Sequence, residues 1–210
     1  MNLLNVVRWL SIALIIAGLT FTLYAVNQIF ESKNAEQRAL NVAKQIVEGK
    51  SVPDRRTLEP TKKAFAADIT EESSAKPIEG DVIGILEIPA IKAELPVVEG
   101  TDEDELAKGV GHYSTTALPG EGDQILLSGH RDSVFRKLGD VKIGDELTVR
   151  MPGGTYTYIM TSSKIVDAND TTVIRSTAPN EILTLSTCYP FGFLGDAPDR
   201  YIIEAVLKEE

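Results

Sequence analysis

From Gly80 onward the chain breaks into apolar runs of strand length, each closed within a few residues by glycine, proline or a charged cluster. This texture restricts the fold more than any other feature. Val82–Ile88 and Ala93–Val98 read as strands joined through Pro89. Gln124–Ser128 reads as a buried strand ending in Gly129-His130. Asp145–Met151 and Tyr156–Ser163 flank Pro152-Gly153-Gly154 as a hairpin, with Ile165–Val166 as a further short strand. Glu181–Thr187 and Tyr201–Lys208 complete the set. Asp102–Lys108, closed by Gly109, and Asp132–Leu138, before Gly139-Asp140, read as short helices. Gly111–Asp123 and Asp167–Asn180 read as loops. Many short strands at close spacing, with little helix, predict an all-β domain built as a closed or partly closed β-barrel.

The first part of the chain is different. Trp9–Val26 carries no charge and is close to the roughly 20 residues that cross a bilayer as a helix. A cleaved signal peptide needs a shorter apolar core and a small-residue cleavage site, and Leu23-Tyr24-Ala25 is a poor one. A retained N-terminal transmembrane helix is therefore expected. Arg8 lies on one side of it and Lys33, Arg38 and Lys44 on the other, so positive charge does not choose the orientation. The amino terminus is expected inside, because most of the chain follows the anchor. Asn34–Glu48 places Ala35, Ala39, Val42, Ala43, Ile46 and Val47 at helical spacing before Gly49, which predicts an amphipathic helix. Ser51–Pro77 carries Pro53, Pro60 and Pro77 with little periodicity and reads as a stalk, or as a lid over the domain. The expected division is an anchor over 1–30, a helix and stalk over 31–79 and a catalytic domain over 80–210.

Charge and composition exclude several functions. A net charge of −10 with no Lys/Arg-rich stripe argues against nucleic-acid binding. One cysteine cannot form an internal disulfide, and two histidines with one cysteine show no zinc-site spacing. Metal binding is weakly supported.

The lone cysteine is the chemical question. Cys188 ends the threonine-rich apolar run Ile182–Thr187, just before Tyr189-Pro190, where a strand meets a loop. A buried small hydrophobe is the bland alternative. A free thiol is mostly protonated at neutral pH and needs a partner to act as a nucleophile. The candidates are His112 and His130. His130 follows a buried strand through Ser128-Gly129, so it projects from a strand end as Cys188 does. His112 lies among glycines and is either structural or part of the same site. With regular alternation Cys188 shares a face with Thr184 and Ser186, and Arg200 with Ile202 and Glu204, which brings Arg200 near Cys188 on a neighbouring strand. Arginine suits an oxyanion because it stays charged and presents several donors. Arg131, next to His130, should point elsewhere.

At these residues the chain resembles the sortases. Leu183-Thr184-Leu185-Ser186-Thr187-Cys188 is similar to their TLxTC signature, and Leu127-Ser128-Gly129-His130-Arg131 to their strand-end histidine motif. Arg200-Tyr201 sits where the family keeps its active-site arginine, and Gly111-His112-Tyr113 with Leu118-Pro119-Gly120 resembles the segment before the histidine motif. The likeness runs from about Gly80 to Leu207. The short C-terminus without a second membrane segment, and a stalk without an Asp-Pro-aromatic lid anchor, point to class D or a housekeeping-type anchor rather than a pilin polymerase.

The resemblance implies the sortase-type closed β-barrel, tethered outside a Gram-positive cell membrane, with His130, Cys188 and Arg200 as catalytic residues and no cofactor. It implies surface proteins with a Leu-Pro-x-Thr type sorting signal as substrates, and an amine of a peptidoglycan precursor as acceptor. A thiol peptidase, a pilin-polymerising enzyme and a membrane-anchored binding module are the competing readings.

Overall fold

The computed structural model describes residues 3–49, 76–192 and 195–208. The stalk or lid expected over Ser51–Pro77 lies outside these residues except for Lys76 and Pro77. Eight strands close into a barrel in the order β1-β2-β3-β4-β7-β8-β6-β5. They are β1 (Val82–Ile88), β2 (Ala93–Glu99), β3 (Val110–His112), β4 (Gln124–Ser128), β5 (Glu146–Met151), β6 (Gly154–Asp167), β7 (Ile182–Tyr189) and β8 (Asp199–Leu207). Among the described residues, two α-helices accompany them, α1 (Leu3–Val47) and α2 (Glu103–Leu106).

Alternation fills the barrel. Ile125 and Leu127 of β4, Leu183 and Leu185 of β7, and Ile203 and Ala205 of β8 point inward to one core with Leu86, Val97, Phe135, Leu147 and Tyr158. Two neighbour pairs are parallel, β2 with β3 and β4 with β7. A parallel pair needs a crossover. The segment carrying α2 makes the first, and the whole β5–β6 hairpin makes the second.

Three expectations are corrected. The loop over Gly111–Asp123 begins with strand β3, whose three residues are too short for a periodic signal but pair with both β2 and β4. Asp132–Leu138 is a run of turns rather than a helix, followed by a 3-10 turn at Leu138–Asp140. Ile165–Val166 is the end of β6, which continues past an irregularity between Met160 and Ser162.

The expected anchor and amphipathic helix form one continuous helix, α1, long and apolar enough to cross a membrane. Its C-terminal part docks on the barrel. Leu40 and Ala43 are buried against Ile85 of β1, with Val47 and Val82 beside them. Lys44 reaches Glu94 of β2 at 2.7 Å, and Arg150 of β5 bridges Glu94 and Glu87. In a ring of eight, β1 and β7 are four places apart. The helix therefore braces the wall opposite β7.

Buried polar side chains fasten the long connections. The Glu181 carboxylate accepts from the Tyr158 hydroxyl at 2.6 Å and from the amides of Gly120 and Gly122. The buried amide of Gln124 donates to Val173 O and Thr184 Oγ1 and accepts from Arg175 N. Asp123 caps the same connection through the amides of Thr177 and Ala178 and the Ser176 hydroxyl.

Candidate active site

Cys188 lies one residue from the end of β7, half-buried and not in a disulfide. Its inward neighbours along the strand are Leu183, Leu185 and Thr187, so the thiol is on the outer face with Thr184 and Ser186. Arg200 is its direct partner on β8. Opposed residues on antiparallel strands have Cβ atoms about 5 Å apart on one face. The guanidinium is held near its own backbone, donating from Nη1 to the carbonyls of Asp199 at 3.0 Å and Ala197 at 3.3 Å.

His130 reaches the same place from β4. Ser128 is in register with Ser186 in the parallel pair, and the Gly129 amide donates to Ser186 O at 3.1 Å. Counting on from that register sets His130 beside Cys188 at the matching strand ends. Gly129 has a local reason: a Cβ there would sit 2.7 Å from side-chain carbons of Val134 and Phe135. Thr187, buried inside the barrel, donates from Oγ1 to Gly129 O at 2.7 Å. That bond ties the residue before Cys188 to the residue before His130.

The rim of the site is aromatic. Tyr189, Phe191 and Tyr201 pack on one another with ring centroids 5.4–6.2 Å apart. Arg131 turns from His130 to the β7–β8 connection, where Nη2 donates to Gly195 O at 2.6 Å.

His112 is elsewhere. It is 2 % exposed on β3, with Nδ1 2.7 Å from Glu99 of β2 and Nε2 3.0 Å from Ala117 O. Its register partner is Leu127, on the inward side of β4. Of the two readings left open for it, the structure selects the structural one.

The geometry sets one thiol, one imidazole and one guanidinium on three adjacent strand ends. Such a set can attack a carbonyl, hold an oxyanion and move a proton. A family model described as "Sortase domain" matches residues 86–208. The chain belongs to the sortase family. Sortases are cysteine transpeptidases, which makes this chain an enzyme by family.

It is 53 % identical to sortase D of Bacillus subtilis (strain 168) over 132 residues, 63 % of this chain and 67 % of that one. It is 28 % identical to sortase A of Bacillus anthracis over 140 residues, 65 % and 64 % of the two chains. The chain thus spans about two thirds of the length of these curated relatives. Among solved structures it is similar to a Clostridium perfringens sortase D5 transpeptidase, with a TM-score of 0.63 and 26 % identity over 84 % of this chain and 99 % of that one. The catalytic domain of B. anthracis SrtD matches at 43 % identity and a TM-score of 0.54, over 66 % and 95 %. Three of these four relatives are class D sortases by name.

Three contacts, one beside Cys188 and one at each histidine, were not legible in the sequence. Thr187 was legible as the motif threonine before Cys188, but its bond to Gly129 O was not. Glu99 and Glu103 carried no local signal, because what they touch is set by the crossover between β2 and β3.

Proposed function

We propose that this sortase cuts a Leu-Pro-x-Thr type sorting signal after the threonine and transfers the acyl group to an amine of a peptidoglycan precursor. The Cys188 thiolate attacks the threonine carbonyl. The peptide bond to the next residue breaks, and His130 gives the leaving amine its proton. A thioacyl enzyme results. The acceptor amine then attacks the same carbonyl, His130 removes its proton, and the thiolate leaves. Arg200 steadies the oxyanion or the bound signal, for which it exchanges the carbonyls of Ala197 and Asp199 for those of the substrate.

The observation that carries this reading is the Cys188–Arg200 register pair beside the end of β4. The enzyme is anchored by Trp9–Val26 with its amino terminus inside and its barrel on the extracellular face. The working division is 1–30 for the anchor, 31–79 for helix and stalk, and 80–210 for catalysis.

Mass spectrometry of the protein with a panel of Leu-Pro-x-Thr peptides tests it. A thioacyl adduct on Cys188, absent in Cys188→Ala and discharged by an added amine, is the expected result. Discharge by water alone, at a rate no amine changes, would make the enzyme a thiol peptidase.

A further inference from the structure

His130 has a carboxylate neighbour that the mechanism above does not use. Glu103, the first residue of α2, sets Oε1 3.6 Å from His130 Nε2. This is ion-pair range, too long for a hydrogen bond. The Glu103 side chain is 86 % exposed and that of His130 33 %, so the pair sits at the mouth of the site rather than in the core. By register and sequence, Cys188 on β7, Arg200 on β8 and Arg131, whose Nη2 donates to Gly195 O, lie near the same strand ends. Among the described residues, Glu103 is the carboxylate within ion-pair reach of this imidazole. The neighbouring Glu105 points instead to Lys108.

We propose that Glu103 is a positioning residue for the transpeptidation, holding the His130 ring toward the reacting centre. The physical reason is that the contact is most attractive when the imidazole carries the proton it delivers to the leaving amine, so the carboxylate steadies the ring at that step. The fold supports this at little cost. The crossover from β2 to β3 has to pass near this end of the barrel, and α2 carries Glu103 on that path. An exposed pair of this kind is worth a factor of about two to five, and salt weakens it.

The inference rests on the role given to His130 above, so the test has one arm independent of that role. With only two histidines in the chain, side-chain ¹⁵N NMR of the full-length protein in detergent follows each ring separately. Glu103→Gln should change the His130 ring signals and leave those of His112 in place. Asp104→Asn removes the same charge one residue away and should move neither. In the second arm, kcat for a Leu-Pro-x-Thr peptide should fall about two- to five-fold in Glu103→Gln with KM unchanged, and the difference should vanish at high salt. Unmoved His130 signals, or an equal change in Asp104→Asn, overturn the proposal. So do changed signals with an unchanged kcat. Full activity in His130→Ala would instead remove the role of His130, whatever the signals show.

Discussion

At the scale of single residues, two histidines in one small barrel sit in opposite surroundings. His112 is enclosed with Glu99 and faces an acceptor on each ring nitrogen. Removing one member of a buried pair strands the other, at a cost of about 3–5 kcal/mol. His112→Ala should therefore lower the urea midpoint sharply and still transfer at a measurable rate per folded molecule. His130→Ala should leave the urea midpoint nearly unchanged and abolish transfer. Equal loss of transfer in the two variants, at matched folded fraction, would sink this separation. Arg200 gives a sharper test. Lysine keeps its charge but loses the planar fork. Arg200→Lys should cost on the order of 10²–10³ in turnover, the scale of one oxyanion donor, with the barrel intact by circular dichroism. Transfer at near wild-type rate would reduce the role of Arg200 to charge alone.

At the scale of elements, α1, long and apolar enough to cross a membrane, also packs on the barrel. Leu40 and Ala43 cover Ile85, which is fully buried. A protein truncated to begin at Gly80 uncovers that side chain. Leu40→Ala should cost about 2 kcal/mol, at the low end for a buried leucine because the dock lies at the barrel surface. The truncated protein should unfold cooperatively but at a lower temperature. A melting temperature equal to that of the full chain would show that the dock contributes nothing. The strand ends form the second telling element. The Thr187–Gly129 bond joins β7 to β4 beside the thiol. Thr187→Val keeps the shape, strands the carbonyl and should cost about 1 kcal/mol, with a fall in turnover larger than the fall in stability. The motif threonine before Cys188 was legible in the sequence, but its partner was not, since Gly129 lies far away along the chain.

At the scale of the whole molecule, stability should fall at both ends of the pH range. Hydrogen bonds from the amides of Thr177 and Gln124 hold Asp123 below its ordinary 3.8, and the Thr172 hydroxyl and amide do the same for Asp170. Burial pushes Glu204 up, but its bonds and charges with Arg175 and Lys164 outweigh this and leave it below 4.5. A lowered group stabilises the fold above its unfolded value, and that contribution is lost as pH falls through the folded one. The acid limb of thermal stability should thus lie below about pH 4 and flatten in Asp123→Asn. Burial, then the bond to Glu181, raise Tyr158 above its ordinary 10.0. The sign is reversed: its contribution is full below pH 10.0 and declines as pH rises above it toward the folded value. Tyr158→Phe should flatten the alkaline limb. Calorimetry across pH checks both, and limbs that do not respond to these substitutions would assign them to other groups.

Local pattern alone determined the all-β barrel, the apolar helix at the amino terminus, and the strand-end positions of His130, Cys188 and Arg200. Those features follow from side-chain alternation, turn residues and charge-free length, all of which are written within a few neighbouring residues. Only the tertiary structure decided that β3 exists, that α1 braces the wall opposite β7, that His112 belongs to Glu99, and that Glu103 stands over His130. Each of these depends on parallel pairing or on packing between distant segments. A crossover can bring residues together at any separation in sequence, so the contact leaves no periodic trace in the chain.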